Sequence, residues 1–214
     1  MPTCCRGGAC EEMFTPRQAR KSLENLRKKG LGDLERDMVA AASAGGLDGA
    51  RVLEIGGGIG ALQSELLGAG AEGGEIVEIV GTYEPYAREL ARERGLEERT
   101  AFRVADVLEE PDAVGPADIV LMNRVVCCTP DGVALTGRAA ALARRSLVLS
   151  FPRDVVWLRA AARVMNAGLA LFGRSFRVFV HPRDALVAAA EAEGLRLAGG
   201  GGGGPWEFAA FERP

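Results

Sequence analysis

Four glycines and an acid crowd one short stretch of the chain, Arg51-Val-Leu-Glu-Ile-Gly-Gly-Gly-Ile-Gly60. Glu54 sits near the end of an apolar run, and Gly56, Gly58 and Gly60 follow at alternate positions. Glycine lets a backbone turn sharply and approach a ligand where a Cβ would collide. If a helix opens directly after the turn, its first N–H groups lack partners and can meet a carboxylate or phosphate. Gly56, Gly58 and Ala61 also satisfy Gly-x-Gly-x-x-Ala, so a nicotinamide or flavin site is one reading of the same residues. Two more acids follow downstream, Glu78 and Asp106, each at the end of a strand-like segment. Glu84 is a rival to Glu78, but it begins a helix pattern, where an acid complements the dipole.

Other reactive side chains are few. His181 is the only histidine; it precedes Pro182, and is either a proton acceptor for a substrate hydroxyl or a helix-entry residue bonded to backbone. Asn123 and Arg124 follow a strand pattern and open the run Asn123-Arg-Val-Val-Cys-Cys-Thr-Pro130. Both are candidates to face a pocket. Cys127 and Cys128 fit small buried apolar residues better than nucleophiles. Cys4, Cys5 and Cys10 could hold zinc only with a fourth ligand from elsewhere, and no metal site is expected.

These residues need a scaffold, and the chain supplies an alternation of strand and helix patterns. Strand patterns fall at 51–55, 75–79, 100–104, 118–122 and 146–151, and helix patterns at 15–29, 33–43, 61–67, 84–94 and 133–144. The alternation breaks after Phe151. A long apolar helix is expected over 155–172, then an extended piece over 176–180 and a helix over 183–193. Two closing strands, 195–198 and 206–211, would flank the run Gly199–Gly204, expected to be a flexible hairpin loop without a ligand. The apolar helix is either a core element or a lid over a large, partly apolar or anionic substrate. In the lid reading, Arg174 or Arg177 pairs with a substrate carboxylate.

The stretch Val52–Gly60 resembles motif I of class I S-adenosylmethionine-dependent methyltransferases. That resemblance places an acid seventeen or eighteen residues past the last glycine, and Glu78 lies eighteen past Gly60. It continues through Gly95, through Ala105-Asp106 and through Ala117-Asp-Ile-Val-Leu-Met-Asn123. It implies S-adenosylmethionine as cofactor, with Glu54, Gly56, Gly58, Gly60, Glu78, Asp106, Val107 and Asn123 around it. By the same analogy Glu78 takes the ribose diol, and Asp106 with the Val107 backbone takes the adenine edge. The loop from Asn123 with the insertion after Phe151 is distantly similar to magnesium-protoporphyrin and quinone-biosynthesis O-methyltransferases. The fold implied is a three-layer α/β sandwich around a seven-stranded, mostly parallel sheet with an antiparallel last strand.

The expected organisation is a single methyltransferase domain: a helical cap over 1–45, a cofactor core over 46–151, a lid over 152–182 and closing elements over 183–214. The expected reaction moves a methyl group to an oxygen or nitrogen of a small molecule. A nicotinamide-dependent oxidoreductase and a non-catalytic S-adenosylmethionine-binding protein are the alternatives. A net charge of −3 over 214 residues argues against a nucleic-acid partner. The basic cluster Arg17, Arg20, Lys21, Arg27, Lys28 and Lys29 reads as a solvated helix face. No signal peptide is read at the N-terminus, and the 155–172 stretch contains Arg159 and Arg163. Stable membrane insertion is therefore not expected, and a cytoplasmic location with reduced thiols is. Oligomeric state is left open.

Overall fold

The computed structural model describes residues 9–214. In chain order the elements are α1 (Ala9–Met13), α2 (Pro16–Lys29), α3 (Asp33–Ser43), β1 (Arg51–Ile55), α4 (Ala61–Gly68), β2 (Gly73–Glu78), α5 (Glu84–Glu93) and β3 (Thr100–Val104). They continue with β4 (Ala117–Asn123), α6 (Gly132–Leu142), β5 (Ala143–Pro152), α7 (Val156–Leu171), α8 (Arg183–Ala192), β6 (Arg196–Gly203) and β7 (Trp206–Glu212). The seven strands form one sheet in the order β3-β2-β1-β4-β5-β7-β6. β1 to β5 run parallel, and β7 is antiparallel to both its neighbours. The order reverses beside β1, which pairs with β2 on one side and β4 on the other. A crevice opens at the carboxyl ends of strands at such a reversal.

Alternation along the strands sends successive side chains to opposite faces, and both faces are covered. Leu53, Val120, Met122, Leu147, Leu149 and Phe211 pack with residues of α6 and α8. Their chain neighbours Val52, Ile119, Leu121, Val148 and Ala210 pack instead with α3 and α4. β1 and β4 are therefore apolar through their middles, and β4 ends at the crevice in the polar Asn123.

The N-terminal helices are set by local signals. Thr15 and Gln18 form a reciprocal capping box at the start of α2, Pro16 occupies its first turn, and Gly30 ends it. Ala19, Leu23 and Leu26 give α2 its buried stripe, so its basic residues lie exposed. Arg27 then hydrogen-bonds Glu89 and Glu93 of α5, pinning the cap to the core.

One expectation changes here. The glycine run is not a loop: Gly199 to Gly203 belong to β6, paired residue by residue with β7. The reason is close packing between the strands. A Cβ at Gly202 would lie 2.5 Å from the Trp206 carbonyl oxygen, and one at Gly201 would lie 2.8 Å from the Phe208 ring. Phe208 thus fills the place of the missing side chain across the ladder. Residues 176–180, expected as an extended piece, join no ladder and no helix. The Asn166 side chain stands in for a partner strand, donating to the Val178 carbonyl and accepting from its N–H, both at 2.8 Å.

Candidate functional site

β1, β2, β3 and β4 end around a cavity of about 440 Å³. Its floor is the turn after β1, its walls are the ends of β2 and β4 with the loop after β3, and the N-terminal segment covers it. Gly56, Gly58 and Gly60 all have positive φ, which glycine adopts without strain. Their surroundings explain why no side chain fits: a Cβ at Gly56 would meet Val125 at 2.5 Å, and one at Gly60 would meet Ile76 at 2.3 Å. Gly58 differs. Its missing Cβ points into the space between Tyr83, 3.4 Å away, and the Glu78 carboxylate, 4.0 Å away.

Glu78 ends β2 and lines the cavity, and its Oε1 accepts a 2.6 Å hydrogen bond from the Gly58 N–H. Burial pushes its carboxyl up to about 7, against the opposing pull of the Gly58 and Ile79 backbone N–H groups. Glu84, the competing acid, begins α5 and bonds Arg88 outside the cavity. Asp106 and Val107 line the wall after β3, and Asp106 Oδ1 accepts from the Leu108 N–H at 2.9 Å.

Glu54 takes a place that the sequence left open. It is buried, does not line the cavity, and its Oε2 accepts from the Gln63 N–H at 3.0 Å. It holds the first turn of α4 against β1. Burial pushes its carboxyl up to about 8 despite that hydrogen bond, with Glu78 adding a like charge. Gly60 likewise lies outside the lining and serves as the left-handed entry to α4.

Asn123 ends β4, Arg124 follows it, and both line the cavity. Ser150 of β5 fixes them: its Oγ donates to Asn123 Oδ1 at 2.7 Å and accepts from the Arg124 N–H at 2.9 Å. Arg124 is the one non-glycine residue with positive φ among the described residues. Its guanidinium pairs with Glu35 at 2.9 Å and stacks over Trp206. It is the only cation among the described lining residues, which also include Glu78, Asp106 and Asp131.

The remaining candidates lie elsewhere. Arg174 is exposed beside Glu12, and Arg177 Nη1 bonds the Arg174 and Phe176 carbonyls; neither lines the cavity. His181 is buried outside it. Its Nε2 lies 2.9 Å from the Val126 carbonyl oxygen and 3.0 Å from that of Thr129, so this nitrogen carries a proton and donates. It ties α8's entry to the loop after β4 and has no lone pair to offer a substrate there. No residue of 152–182 lines the cavity, whereas Cys10, Phe14 and Ser22 of the cap do. Cys4 and Cys5 lie outside the described residues; among those described, no group of three or more potential metal ligands occurs.

The sequence reading passed over Phe14 and Tyr83. Phe14 lies 6.3 Å from Tyr83 and edge-on to Phe176 at 5.9 Å, making an aromatic wall opposite the glycine turn. Their positions, just before the helix pattern at 15–29 and beside Glu84, were the available signals. Burial, with Glu78 and Cys128 nearby, pushes the Tyr83 hydroxyl up to about 12, so it stays protonated.

No protein-family model matches the sequence, and no curated protein matches it either. Solved structures do. Magnesium protoporphyrin IX methyltransferase from Synechocystis PCC 6803, with bound SAH, is 21% identical over 84% of this chain and 83% of its own, with a TM-score of 0.67. The N-methyltransferase NodS from Bradyrhizobium japonicum WM9, in complex with S-adenosyl-L-homocysteine, is 14% identical over 94% and 99%, at 0.62. An O-methyltransferase family 2 protein from Planctomyces limnophilus in complex with apigenin is 17% identical over 93% and 62%, at 0.67. The chain has the Rossmann-like methyltransferase fold. At these identities the likeness is one of fold. No helix among the described residues is long and apolar enough to cross a membrane.

Proposed function

We propose that this protein binds S-adenosylmethionine and transfers its methyl group to an oxygen or nitrogen of a small molecule. The observation that carries the reading is Glu78: a buried carboxylate on the cavity wall, joined to the glycine turn through the Gly58 N–H. A buried acid with one oxygen so engaged is suited to the adjacent hydroxyls of a ribose. The open space at Gly58 and the cavity of about 440 Å³ suit a nucleoside carrying an amino-acid tail. Acids outnumber cations in the described lining, which favours a sulfonium cation over a dinucleotide's phosphates.

Gly56 to Gly58 would hold the amino-acid end, Glu78 the ribose, Asp106 and Val107 the adenine, and Asn123 the side nearest β4. When bound, the cofactor supplies a methyl group on positively charged sulfur. Glu54 acts one step back, fixing α4 and with it the glycine turn. In this reading the described part of the cap, residues 9–45, covers the cavity, residues 46–151 hold the cofactor, residues 152–182 are an insertion and residues 183–214 close the sheet. Phe14 and Tyr83 exclude water from the acceptor side, and Tyr83 can donate its proton in a hydrogen bond. The chain contributes chiefly by alignment, an effect worth up to roughly 7–11 kcal/mol. We assign His181 no part in the transfer.

A thermal-shift comparison of S-adenosylmethionine, S-adenosylhomocysteine, NAD and NADP tests the reading. The adenosyl-sulfur ligands are expected to add about 2.7 kcal/mol of stability at a hundred times their dissociation constant. Stabilisation by NAD or NADP alone would overturn it in favour of an oxidoreductase. Methyl transfer from labelled S-adenosylmethionine to phenolic, carboxylic and amine acceptors separates an enzyme from a binding protein. In the same assay His181→Ala should retain transfer while losing about 1–3 kcal/mol of stability, because two buried carbonyls lose their donor. Loss of transfer in a folded His181→Ala variant would restore the catalytic role.

A further inference from the structure

We infer that α7 is a docking surface for an anionic lipid bilayer, a property independent of the methyl-transfer reading. The helix has two apolar sides. Leu158, Ala162 and Leu169 turn toward the protein, and Ala162 is buried. Trp157, Ala160, Val164, Ala167 and Leu171 follow one another at alternating steps of three and four, which sets them on a single stripe. That stripe faces solvent: Val156, Trp157, Val164, Leu171 and the capping Phe172 are 60–83% exposed. Six of the nine exposed large apolar side chains of the described residues lie on α7 or its cap, the sixth being Met165. Scattered apolar side chains are ordinary on a surface, but a contiguous stripe of this kind is a binding face.

Charge identifies the occupant. Residues 153–183 contain six arginines and one acid, Asp154, a net of +5 in a chain whose total is −3. Between 155 and 183 there is no acid at all. Asp154 pairs with Arg159, and Glu12 lies 3.8 Å from Arg174, which offsets part of this excess. Arginines flanking an exposed stripe that holds tryptophan, leucine and phenylalanine are the composition of a helix lying in a membrane interface. A second copy of the chain fits less well. A two-fold axis through Val164, the middle of the stripe, would bring Arg163 against its own copy. The helix also connects to the cavity: Asn166 holds the following segment at Val178, and Phe176 there packs on the cavity-lining Phe14.

Vesicles of phosphatidylglycerol and phosphatidylcholine provide the test, with pure phosphatidylcholine as comparison. The chain has two tryptophans, so Trp206→Phe leaves Trp157 as the sole reporter. The protein is expected to co-sediment with the anionic vesicles, with a blue shift of Trp157 emission, and to release in about 0.5 M salt. Val164→Glu with Leu171→Glu should cut the bound fraction about tenfold or more, because charged groups replace the inserting side chains. Both positions are exposed, so the unfolding midpoint should hold, and any loss of binding then reports the face itself. Equal binding to neutral and anionic vesicles, or none to either, would overturn the proposal. So would a dimer in light scattering that the double variant converts to monomer, which would make a second copy the occupant.

Discussion

Replacing Gly58 with valine is expected to abolish measurable binding of S-adenosylhomocysteine, a loss of at least a hundredfold or about 2.7 kcal/mol. The residue has φ +57°, and its absent Cβ would sit 3.4 Å from the Tyr83 ring and 4.0 Å from Glu78 Oε1. The two methyl groups of valine must therefore enter the space between that ring and the carboxylate. Either they occupy the ligand's place, or the turn moves and the Gly58 N–H leaves Glu78. Both outcomes remove binding. Positive φ also strains a β-branched residue, so about 1–3 kcal/mol of stability is lost as well. The turn lies at the surface end of β1, outside the sheet core, and the fold should survive that cost. Calorimetric affinity and the unfolding midpoint are to be taken on one sample. A folded Gly58→Val protein that binds as tightly as its parent would show that the ligand lies elsewhere.

Legibility in the sequence followed the locality of the physics. β1 was readable to the residue because a short apolar run that ends at a glycine turn has few alternatives. The limits of α2 and α3 were readable because capping and glycine breaks act within a few positions. The contrast between Glu78 and Glu84 was also local: one ends a strand, the other opens a helix. What failed depended on partners far away in sequence. Gly199 to Gly203 look flexible until β7 is laid beside them and Phe208 covers Gly201. For His181 the sequence left a proton acceptor and a backbone-bonded helix-entry residue side by side, and the choice between them rests on Val126 and Thr129, more than fifty residues earlier, whose carbonyls meet it. Arg174 and Arg177 were placed toward a substrate because α7 was read as a lid, yet no residue of that insertion lines the cavity. Glu54 shows the subtler case. The sequence gives the same acid whether it meets a ligand or holds Gln63, and only three-dimensional placement separates the two.

Affinity for the nucleoside part of the cofactor is expected to rise about tenfold between pH 6 and pH 8. Glu78 is pushed up to about 7 by burial, so below neutrality the unliganded carboxyl is largely protonated. Hydroxyls of a ribose donate to the ionised form, and binding must then expel the proton at pH 6 but not at pH 8. One pH unit below the carboxyl's midpoint costs about 1.4 kcal/mol. The sign for folding is the opposite. Because the folded value lies above the ordinary 4.5, the unliganded fold loses stability as pH rises from there through about 7, and Glu54, pushed up to about 8, extends that fall. 5′-Methylthioadenosine is the appropriate probe, having the diol but no amino group to titrate. Glu78→Gln keeps an acceptor for the Gly58 N–H yet cannot ionise. It should bind about 1.5–3 kcal/mol more weakly at pH 8 and show no pH slope. Glu54→Gln should keep the slope, since Glu54 faces Gln63 and not the cavity. A slope that survives in Glu78→Gln and vanishes in Glu54→Gln would move the ribose to the other acid, and with it the cofactor to the far side of the glycine turn.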